Sequence, residues 1–236
     1  MHRGCAARDS EVDGLKLGTT AADADGMAVA SQVQEVSVPR SQRHGLLAAA
    51  VLWAAVALGA VGRLTVFAGT PGQAGGGAHV WPTSSTLHRT ADEPTLVVAV
   101  HPMCPCSRAS VAELARIAAR APRRLRILVI FTDAATDSSA VRSSDLWQSV
   151  AMIPGATPVV DAGGAEAALF DAKTSGYAAL YAADGKLVFH GGITVALGHQ
   201  GDNAGSDAIL ELLSGASASR PSTPVFGCPL GELPPS

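Results

Sequence analysis

Hydrophobic positions in the C-terminal part of the chain alternate between the continuous runs of buried strands and the spacing of amphipathic helices. Thr95–Val100 is a continuous apolar run, as expected for a strand inside a sheet covered on both faces. From residue 104 to 120 apolar side chains return at helical spacing, and Pro122 stops that pattern. Residues 125–131 form a second aliphatic run. A strand, a helix and a strand at this spacing predict a right-handed crossover and a parallel pair.

The later part of the chain predicts a short helix, an irregular insertion, a hairpin and a last helix. The short helix covers residues 144–151, and the insertion over 153–175 contains several prolines and glycines. Tyr177–Tyr181 and residues 186–190 predict two strands joined by an Asp-Gly turn. Residues 207–213 again show helical spacing. The order β-α-β, insertion, β-β-α predicts an α/β domain with a central mixed sheet flanked by helices.

An uncharged apolar run precedes this domain. It covers residues 46–62, and residues 64–68 continue it beyond Arg63. Spanning a bilayer takes roughly 20 apolar residues. The run reaches that length if Arg63 extends its side chain to the headgroups. We therefore predict one transmembrane helix over residues 45–68.

The flanks of this run predict its orientation. Arg40 and Arg43 precede it closely, whereas the next basic side chain after Arg63 is Arg89, apart from two histidines. The positive-inside rule then places the N-terminus in the cytoplasm and the C-terminal domain outside. A cleaved signal peptide is the alternative. Some 45 residues precede the run, which favours an uncleaved anchor, although a start at Met27 would weaken that preference.

Composition divides the rest of the chain and argues against a nucleic-acid partner. Residues 1–44 lack periodicity and are expected to be disordered, and residues 69–86 are expected to form a flexible tether. The domain then covers residues 87–215, and residues 216–236 form a proline-rich tail. Residues 88–236 carry 11 Lys and Arg against 14 Asp and Glu, so no basic excess is available to bind nucleic acid.

Two cysteines stand where the first predicted strand passes into the first predicted helix. The motif reads His101-Pro102-Met103-Cys104-Pro105-Cys106-Ser107-Arg108. The free N–H groups and the positive dipole end of a helix N-terminus stabilise a thiolate, the reactive form of cysteine. Proline suits the first helical position because its missing N–H would have no partner there. This predicts Pro105 at that position and Cys104 as the N-cap and the more exposed sulfur. A static disulfide or apolar packing is the alternative.

Two neighbouring side chains are candidates for tuning the thiols. His101 could lower the pKa of a cysteine by charge pairing, or could relay a proton. Arg108, within a helical turn of both sulfurs, could stabilise a thiolate. The alternatives are a loop histidine without a role and a solvated arginine.

A third cysteine, Cys228, lies in the proline-rich tail. Disulfides persist outside the cytoplasm, and three cysteines leave one thiol over or make one pair dynamic. The tail is long enough to fold back over the motif. Cys228 could then resolve a mixed disulfide with Cys104 or Cys106, or fasten the tail by a disulfide. A lone thiol is the alternative.

The order of the elements, with a cysteine motif after the first strand, resembles the thioredoxin fold. The motif over residues 101–110 is similar to that of RedB-like, membrane-anchored thioredoxin-fold proteins of bacteria. Other short motifs share the similarity, which covers roughly residues 81–230: Thr174-Ser175-Gly176, Gly191-Gly192-Ile193-Thr194, Gly198-His199-Gln200-Gly201-Asp202-Asn203 and Pro224-Val225-Phe226-Gly227-Cys228-Pro229-Leu230. The resemblance implies an inner-membrane protein with a periplasmic domain.

Two features depart from ordinary thioredoxins. Pro105 alone separates the cysteines, and a Cys-x-Cys disulfide closes a small, strained ring that tends to be more oxidising. The usual cis-proline before the hairpin is also missing. Thr174, Ser175 and Gly176 occupy its place, unless Thr157-Pro158 supplies it. In thioredoxin-like folds this loop touches the cysteines and the substrate backbone, so these three residues and Pro105 are candidate substrate-binding residues.

Three functions remain open at this point. In a thiol-disulfide oxidoreductase, the Cys104 thiolate attacks a substrate disulfide, and Cys106 or Cys228 resolves the mixed species. In a metal carrier, His101, Cys104 and Cys106 hold Cu(I), with or without Cys228. The third is a non-catalytic binding module with a structural disulfide. We favour the first because a helix N-terminus is exposed and electropositive. For it we expect no cofactor or metal, and as partners protein thiols or disulfides outside the cytoplasm, a redox partner and the lipid bilayer.

Overall fold

The computed structural model of the protein describes residues 39–133 and 138–231. The chain divides into two compact units, residues 1–50 and 51–236. The predicted tether, domain and tail all fall within the second unit.

The apolar run forms a long helix, α1 (Arg40–Ala68). It begins five residues before the predicted start at residue 45, directly after Pro39. Residues 1–38 of the predicted disordered segment lie outside the described residues. Gln42–Ala68 is long and apolar enough to cross a membrane, and its large apolar side chains are exposed. The 29 residues of α1 extend over about 43 Å, more than the roughly 30 Å of a bilayer core.

Within the part of the chain that the structure describes, five strands form one mixed sheet. They are β1 (Thr95–Val100), β2 (Arg126–Asp133), β3 (Ala156–Ala162), β4 (Tyr177–Tyr181) and β5 (Leu187–Gly192). Their order is β3-β2-β1-β4-β5. Strand β2 runs parallel to β1 and β3, and β4 runs antiparallel to β1 and β5. The β2-β1-β4-β5 part, with helices packed on it, is the thioredoxin-like arrangement that the sequence predicted.

Helices cover the first face of the sheet. In the described residues, the helices after α1 are α2 (Ser107–Arg120), α3 (Ser138–Ser143), α4 (Asp145–Ala151), α5 (Ala165–Leu169) and α6 (Ala204–Leu213). Leu114 of α2 and Ile209 of α6 are fully buried in one apolar cluster with Val98 and Val129 of the sheet. Only α5 belongs to the second face, where Ala167 joins the other apolar cluster.

Extended chain covers most of the second face, which differs from the flexible tether predicted over residues 69–86. Trp81 packs edge-on against Phe170 and Tyr181, with ring centroids 5.0 and 5.2 Å apart. The Tyr181 hydroxyl donates a hydrogen bond to the Ala78 carbonyl at 3.0 Å. Burial of these aromatic rings offsets the entropy lost on ordering the chain. Residues 69–86 therefore pack as part of the domain.

The tail also lies against the second face, as far as the structure describes it. Near β5, the His190 N–H donates to the Pro221 carbonyl at 3.2 Å, and the Thr223 N–H donates to the His190 carbonyl at 3.3 Å. Val225 is fully buried and Leu230 nearly so. The tail thus returns across the sheet towards the cysteine motif.

The sequence analysis missed strand β3 and the short helix α3. Strand β3 is the larger omission. It lies within the stretch 153–175, which had been interpreted as an irregular insertion. Pro158 interrupts its pattern, but β3 is an edge strand, where a proline need not donate to a further neighbour. Its side chains are mostly half-buried, so it lacks the continuous apolar run of β1.

Candidate active site

The cysteine motif forms a turn between β1 and α2. The Cys104 N–H donates to the His101 carbonyl at 3.1 Å, and the Ser107 N–H donates to the Cys104 carbonyl at 3.0 Å. Pro105 is therefore the second residue of a tight turn over residues 104–107, and its fixed φ favours that position. Helix α2 begins only at Ser107, with Cys106 as its N-cap. The predictions of Cys104 as N-cap and of Pro105 as the first helical residue are wrong for this reason.

The structure brings all three described cysteines together. Their sulfur atoms lie within 4.8 Å of one another. The Sγ atoms of Cys104 and Cys228 are hydrogen-bonded at 2.8 Å, across 124 residues of sequence. Cys104 is only 4% exposed, whereas Cys106 and Cys228 are half-buried. The prediction that Cys104 is the more exposed sulfur is therefore wrong, because the turn and the tail enclose it.

The three thiols differ in acidity. Burial would raise the pKa of Cys104, but hydrogen bonds with Cys228 and Cys106 outweigh it and lower that pKa. Burial, together with the neighbouring Cys104 thiolate, raises the pKa of Cys106 to about 11. The same causes raise the pKa of Cys228 to about 12. The reduced cluster therefore favours one thiolate, on Cys104, held by two protonated neighbours.

The loop before β4 lies directly beside this turn. The His101 N–H donates to Ser175 Oγ at 3.0 Å, and Ser175 Oγ and Ser107 Oγ are hydrogen-bonded at 2.9 Å. The Ser107 hydroxyl also donates to the His101 carbonyl at 2.9 Å. Both serines are buried. Ser175, a predicted site residue, thus joins the loop to the motif, and Ser107 is a member of this network that the sequence analysis missed.

The other two loop residues occupy different positions. Gly176 has φ +91, and a Cβ there would lie 2.7 Å from Ser110 Oγ of α2. The positive φ and the close approach of the loop to α2 both favour glycine at this position. The Thr174 hydroxyl donates to the Gln73 carbonyl at 2.7 Å, which ties the loop to the segment after α1. The described residues contain no cis peptide bond. Pro158 lies within β3, whereas residues 174–176 directly precede β4, the first strand of the hairpin, as predicted.

Cys228 is placed by backbone pairing between the tail and this loop. The Ser175 N–H donates to the Cys228 carbonyl at 2.8 Å, and the Leu230 N–H donates to the Lys173 carbonyl at 2.9 Å. No signal in the sequence identifies this pairing, because it depends on two segments that are distant in the chain. The predicted return of the tail to the motif agrees with this geometry.

The two candidate tuning residues take structural positions. His101 is buried, and its Nδ1 accepts a hydrogen bond from the Met103 N–H at 3.1 Å, which fixes the turn. Arg108 is largely exposed, and its guanidinium lies 3.8 Å from the carboxylate of Asp145. An exposed ion pair of this kind contributes little to stability. The shifts in cysteine pKa come from burial and from the other sulfurs, so neither tuning hypothesis gains support.

The same cluster offers ligands for a soft metal ion. The candidate ligands are the three sulfurs of Cys104, Cys106 and Cys228. Thiolates are the ligands that Cu(I) and Zn²⁺ favour. The sequence analysis proposed His101, Cys104 and Cys106, with or without Cys228. The structure brings Cys228 to the two other sulfurs, and His101 Nδ1 accepts a hydrogen bond within the turn.

Known structures with a similar backbone bear on the fold. No protein-family model and no curated protein matches this chain. An uncharacterized conserved protein from Geobacillus kaustophilus is 19% identical, with a TM-score of 0.50, over 71% of this chain and 95% of that one. A hypothetical protein from Sinorhizobium meliloti 1021 is 23% identical, with a TM-score of 0.48, over 69% of this chain and 94% of that one.

A third similar structure has a description that names an activity. It is a secreted Mycobacterium tuberculosis disulfide oxidoreductase, homologous to E. coli DsbE, which is 19% identical with a TM-score of 0.37. The match covers 52% of this chain and 82% of that one. At these identities the similarities concern the fold alone. The class of the protein is therefore defined by its own topology and site, as a thioredoxin-like fold with three thiols at the end of its first strand.

Proposed function

We propose that the protein is a membrane-anchored, extracytoplasmic thiol-disulfide oxidoreductase whose exchanging pair is Cys104 and Cys228. The observation that carries this proposal is the 2.8 Å separation of their sulfur atoms in a cluster that favours a single thiolate. A structural thiol needs no such acidity, whereas an exchanging thiol does. Cys106, the second cysteine of the Cys-Pro-Cys motif, supports the thiolate as a hydrogen-bond partner.

The chemistry proceeds in two exchanges. The Cys104 thiolate attacks one sulfur of a substrate disulfide, forming a mixed disulfide and releasing the other substrate sulfur as a thiolate. Cys228 then loses its proton and attacks Cys104 Sγ, so that the Cys104–Cys228 disulfide forms and the second substrate sulfur leaves. The proton of Cys228 and one proton from water convert both substrate thiolates to thiols. Two electrons pass from the protein to the substrate, and the reverse sequence oxidises a dithiol.

The low pKa of Cys104 serves both directions. It keeps the attacking sulfur ionised when the site is reduced. In the reverse direction a substrate thiolate attacks Cys104 Sγ of the Cys104–Cys228 disulfide and releases Cys228; a second substrate thiolate then attacks the substrate sulfur of the mixed disulfide, and Cys104 leaves as a stable thiolate. The high pKa of Cys228 favours its recapture of a proton once it is released.

Anchoring by α1 with the domain outside the cytoplasm completes the proposal. The length and apolar surface of α1, with Arg40 and Arg43 on its N-terminal flank, support this orientation. Such a location agrees with the resemblance to RedB-like proteins of the bacterial inner membrane. Alkaline phosphatase fused after Ser236 should be active, and a carbonate wash should leave the protein in the membrane. An inactive fusion, or a soluble form that begins near Gly69, contradicts the anchoring.

Mapping of disulfides tests the exchanging pair. After mild oxidation of the full chain, non-reducing peptide mapping should show Cys104 linked to Cys228, in the native protein and in Cys106→Ser alike. Equilibration with glutathione then measures the reduction potential of the Cys104–Cys228 disulfide. A Cys104–Cys106 disulfide with Cys228 freely alkylated would show that the tail takes no part in exchange.

Cu(I) binding is a second candidate function, favoured by the clustering of three sulfurs within 4.8 Å. Titration of the reduced protein with Cu(I) against a competing chelator distinguishes it. A carrier should bind one Cu(I) tightly and lose that affinity when any of the three cysteines is replaced by serine. An exchanging site should retain rapid reaction with a small disulfide in Cys106→Ser.

A further inference from the structure

The described tail contains two parts with different contacts. Residues 221–225, which we call the anchor, run along β5 and end in the fully buried Val225. Residues 226–230, which we call the cap, lie over the cysteine turn and contain Cys228. The buried Val225 marks the boundary between the two parts.

The cap pairs with the loop before β4 as a short antiparallel strand. We call residues 173–175 of this loop the docking edge. Thr174 and Pro229 are bridge partners, flanked by the hydrogen bonds from Ser175 N–H to Cys228 and from Leu230 N–H to Lys173. Proline fits opposite Thr174 because the ladder needs no donor from that residue. The docking edge therefore binds a strand through its backbone, and the cap is its present occupant.

Side chains of the cap follow the alternation of a strand. Cys228 and Leu230 are two residues apart and point to the same face. Cys228 meets Cys104, and Leu230 is buried in the apolar cluster of the second face, whereas Pro229 is exposed. Two contacts thus hold Cys228 over the Cys104 thiolate. They are the backbone pairing with the docking edge and the burial of Leu230 in the apolar cluster.

The approach at the start of the cap is close. A Cβ at Gly227 would lie 1.9 Å from the Ser175 carbonyl oxygen, so the strand can reach the docking edge there only without a side chain. Gly227 therefore contributes to selection: glycine directly before the cysteine allows the pairing, and any side chain there hinders it.

We propose that the cap is an internal competitor for the docking edge, the loop at which the resemblance to thioredoxin-like folds implies that a substrate backbone binds, and that the cap shows which segments this edge prefers. The inference rests on the proposed function. The preferred substrate segment is an extended one with glycine directly before its cysteine and an apolar residue two positions after it. Because Cys104 is buried beneath the cap, a substrate disulfide reaches it only when the cap leaves the docking edge. Return of the cap then brings Cys228 to the mixed disulfide and displaces the substrate strand.

A trapping experiment on the full chain in detergent tests this competition. The Cys228→Ser background lets the mixed disulfide with Cys104 accumulate. The probe is a blocked peptide of the tail sequence, residues 223–230, whose cysteine carries thionitrobenzoate. Attack by the Cys104 thiolate links the peptide to Cys104 and releases the thionitrobenzoate anion, whose absorbance gives the rate. The reference is the same reaction with glutathione carrying thionitrobenzoate, which needs no strand pairing.

The expected result is a faster reaction when the cap is loosened, with the tail peptide faster than the scrambled peptide throughout. Adding Leu230→Ser removes the apolar contact of the cap and should raise the rates with the tail peptide and with the glutathione reagent about tenfold, because both reach Cys104 only when the cap has left. Adding Gly227→Val should do the same. The exposed Ser222→Ala, outside the cap, is the matched control and should change neither rate. A peptide with Ser in place of its last Leu should lose most of the advantage over a scrambled peptide.

Hydrogen exchange supplies a readout that does not depend on these variants. In the native reduced protein the Leu230 amide should exchange far faster than the Val98 amide of β1, because the cap opens without global unfolding. Equal protection of both amides overturns the proposal, as does an equal rate for the tail and scrambled peptides. If no variant reacts even with the glutathione reagent, the proposed function itself fails.

Discussion

The two faces of the sheet are covered in different ways. Helices α2, α4 and α6 cover the first face, and their apolar residues recur at a spacing that the sequence shows directly. The second face is covered by α5, by the chain between α1 and β1, and by the returning tail. Those extended segments contain many prolines and glycines, and their apolar residues do not recur at a regular spacing.

This difference separates the two components of the site. Cys104 and Cys106 belong to the turn that opens α2, an element of the first face. Cys228 belongs to the covering of the second face and arrives from 124 residues away. The site thus forms where the helices of the first face meet the extended segments of the second face. Its proposed redox chemistry depends on the tail, which belongs to the second face.

The largest effect should come from Cys104 in the first-face turn, with Cys106 of the same turn as its comparison. Cys104→Ser should lower the rate of exchange with a small disulfide at least about a thousandfold, because a serine hydroxyl stays protonated near neutral pH. Cys106→Ser should retain exchange, because its role is to donate to the thiolate. Stopped-flow measurement with glutathione disulfide checks both. Equal losses in the two variants would make the Cys-Pro-Cys motif alone the exchanging pair.

Stability should respond unequally on the two faces. Leu114→Ala in α2 should lower the free energy of unfolding by about 3 kcal/mol, since it leaves a cavity among fully buried side chains. Val225→Ala in the anchor should cost only about 1–2 kcal/mol, because less apolar surface is removed. Urea unfolding of the reduced full chain in detergent measures both. Equal costs would show that the tail is as integral to the core as α2.

These contrasts show what can be predicted from the sequence. Strand β1 has the predicted bounds, since its apolar run ends sharply at His101. Strand β3 could not be predicted, because Pro158 and half-buried side chains hide an edge strand. The start of α2 was misplaced because Pro105 suits a tight turn as well as a first helical position.

The site itself was predictable only in part. The motif at the end of β1 indicated thiol chemistry, and tail length allowed Cys228 to reach it. The 2.8 Å contact, however, results from backbone pairing of residues 228–230 with residues 173–175. Backbone hydrogen bonds carry no side-chain signature, so no pattern in the sequence marks that pairing.

A smaller effect should appear in the acidity of Cys104. Cys228→Ala removes a hydrogen bond to the thiolate and should raise the pKa of Cys104, whereas Cys228→Ser keeps a donor and should restore much of the shift. The pH dependence of Cys104 alkylation, followed by mass spectrometry, measures this pKa. Identical profiles for alanine and serine would mean that the hydrogen bond has no part in it.

The same pKa shifts predict how the stability of the reduced protein depends on pH. The lowered pKa of Cys104 contributes stability above the thiol pKa of the unfolded chain, and that contribution is lost as pH falls through the folded value. The raised pKa of Cys106 acts in the opposite sense. Its contribution is complete below the unfolded value and is lost as pH rises through about 11. Urea unfolding at several pH values should show the second loss disappear in Cys106→Ala.

The smallest effect should come from Arg108, which tests whether the first face adds a cation to the site. Its guanidinium lies 3.8 Å from the Asp145 carboxylate, with 67% of the arginine side chain exposed. An exposed pair of this kind contributes about 0–1 kcal/mol. Arg108→Ala should therefore change Cys104 alkylation by less than about twofold at neutral pH, and Asp145→Ala, which frees the guanidinium, should change it no more. A marked fall in alkylation with Arg108→Ala, restored by Arg108→Lys, would show that the cation stabilises the thiolate after all. The acidity of Cys104 would then depend on the first face as well as on the returning tail.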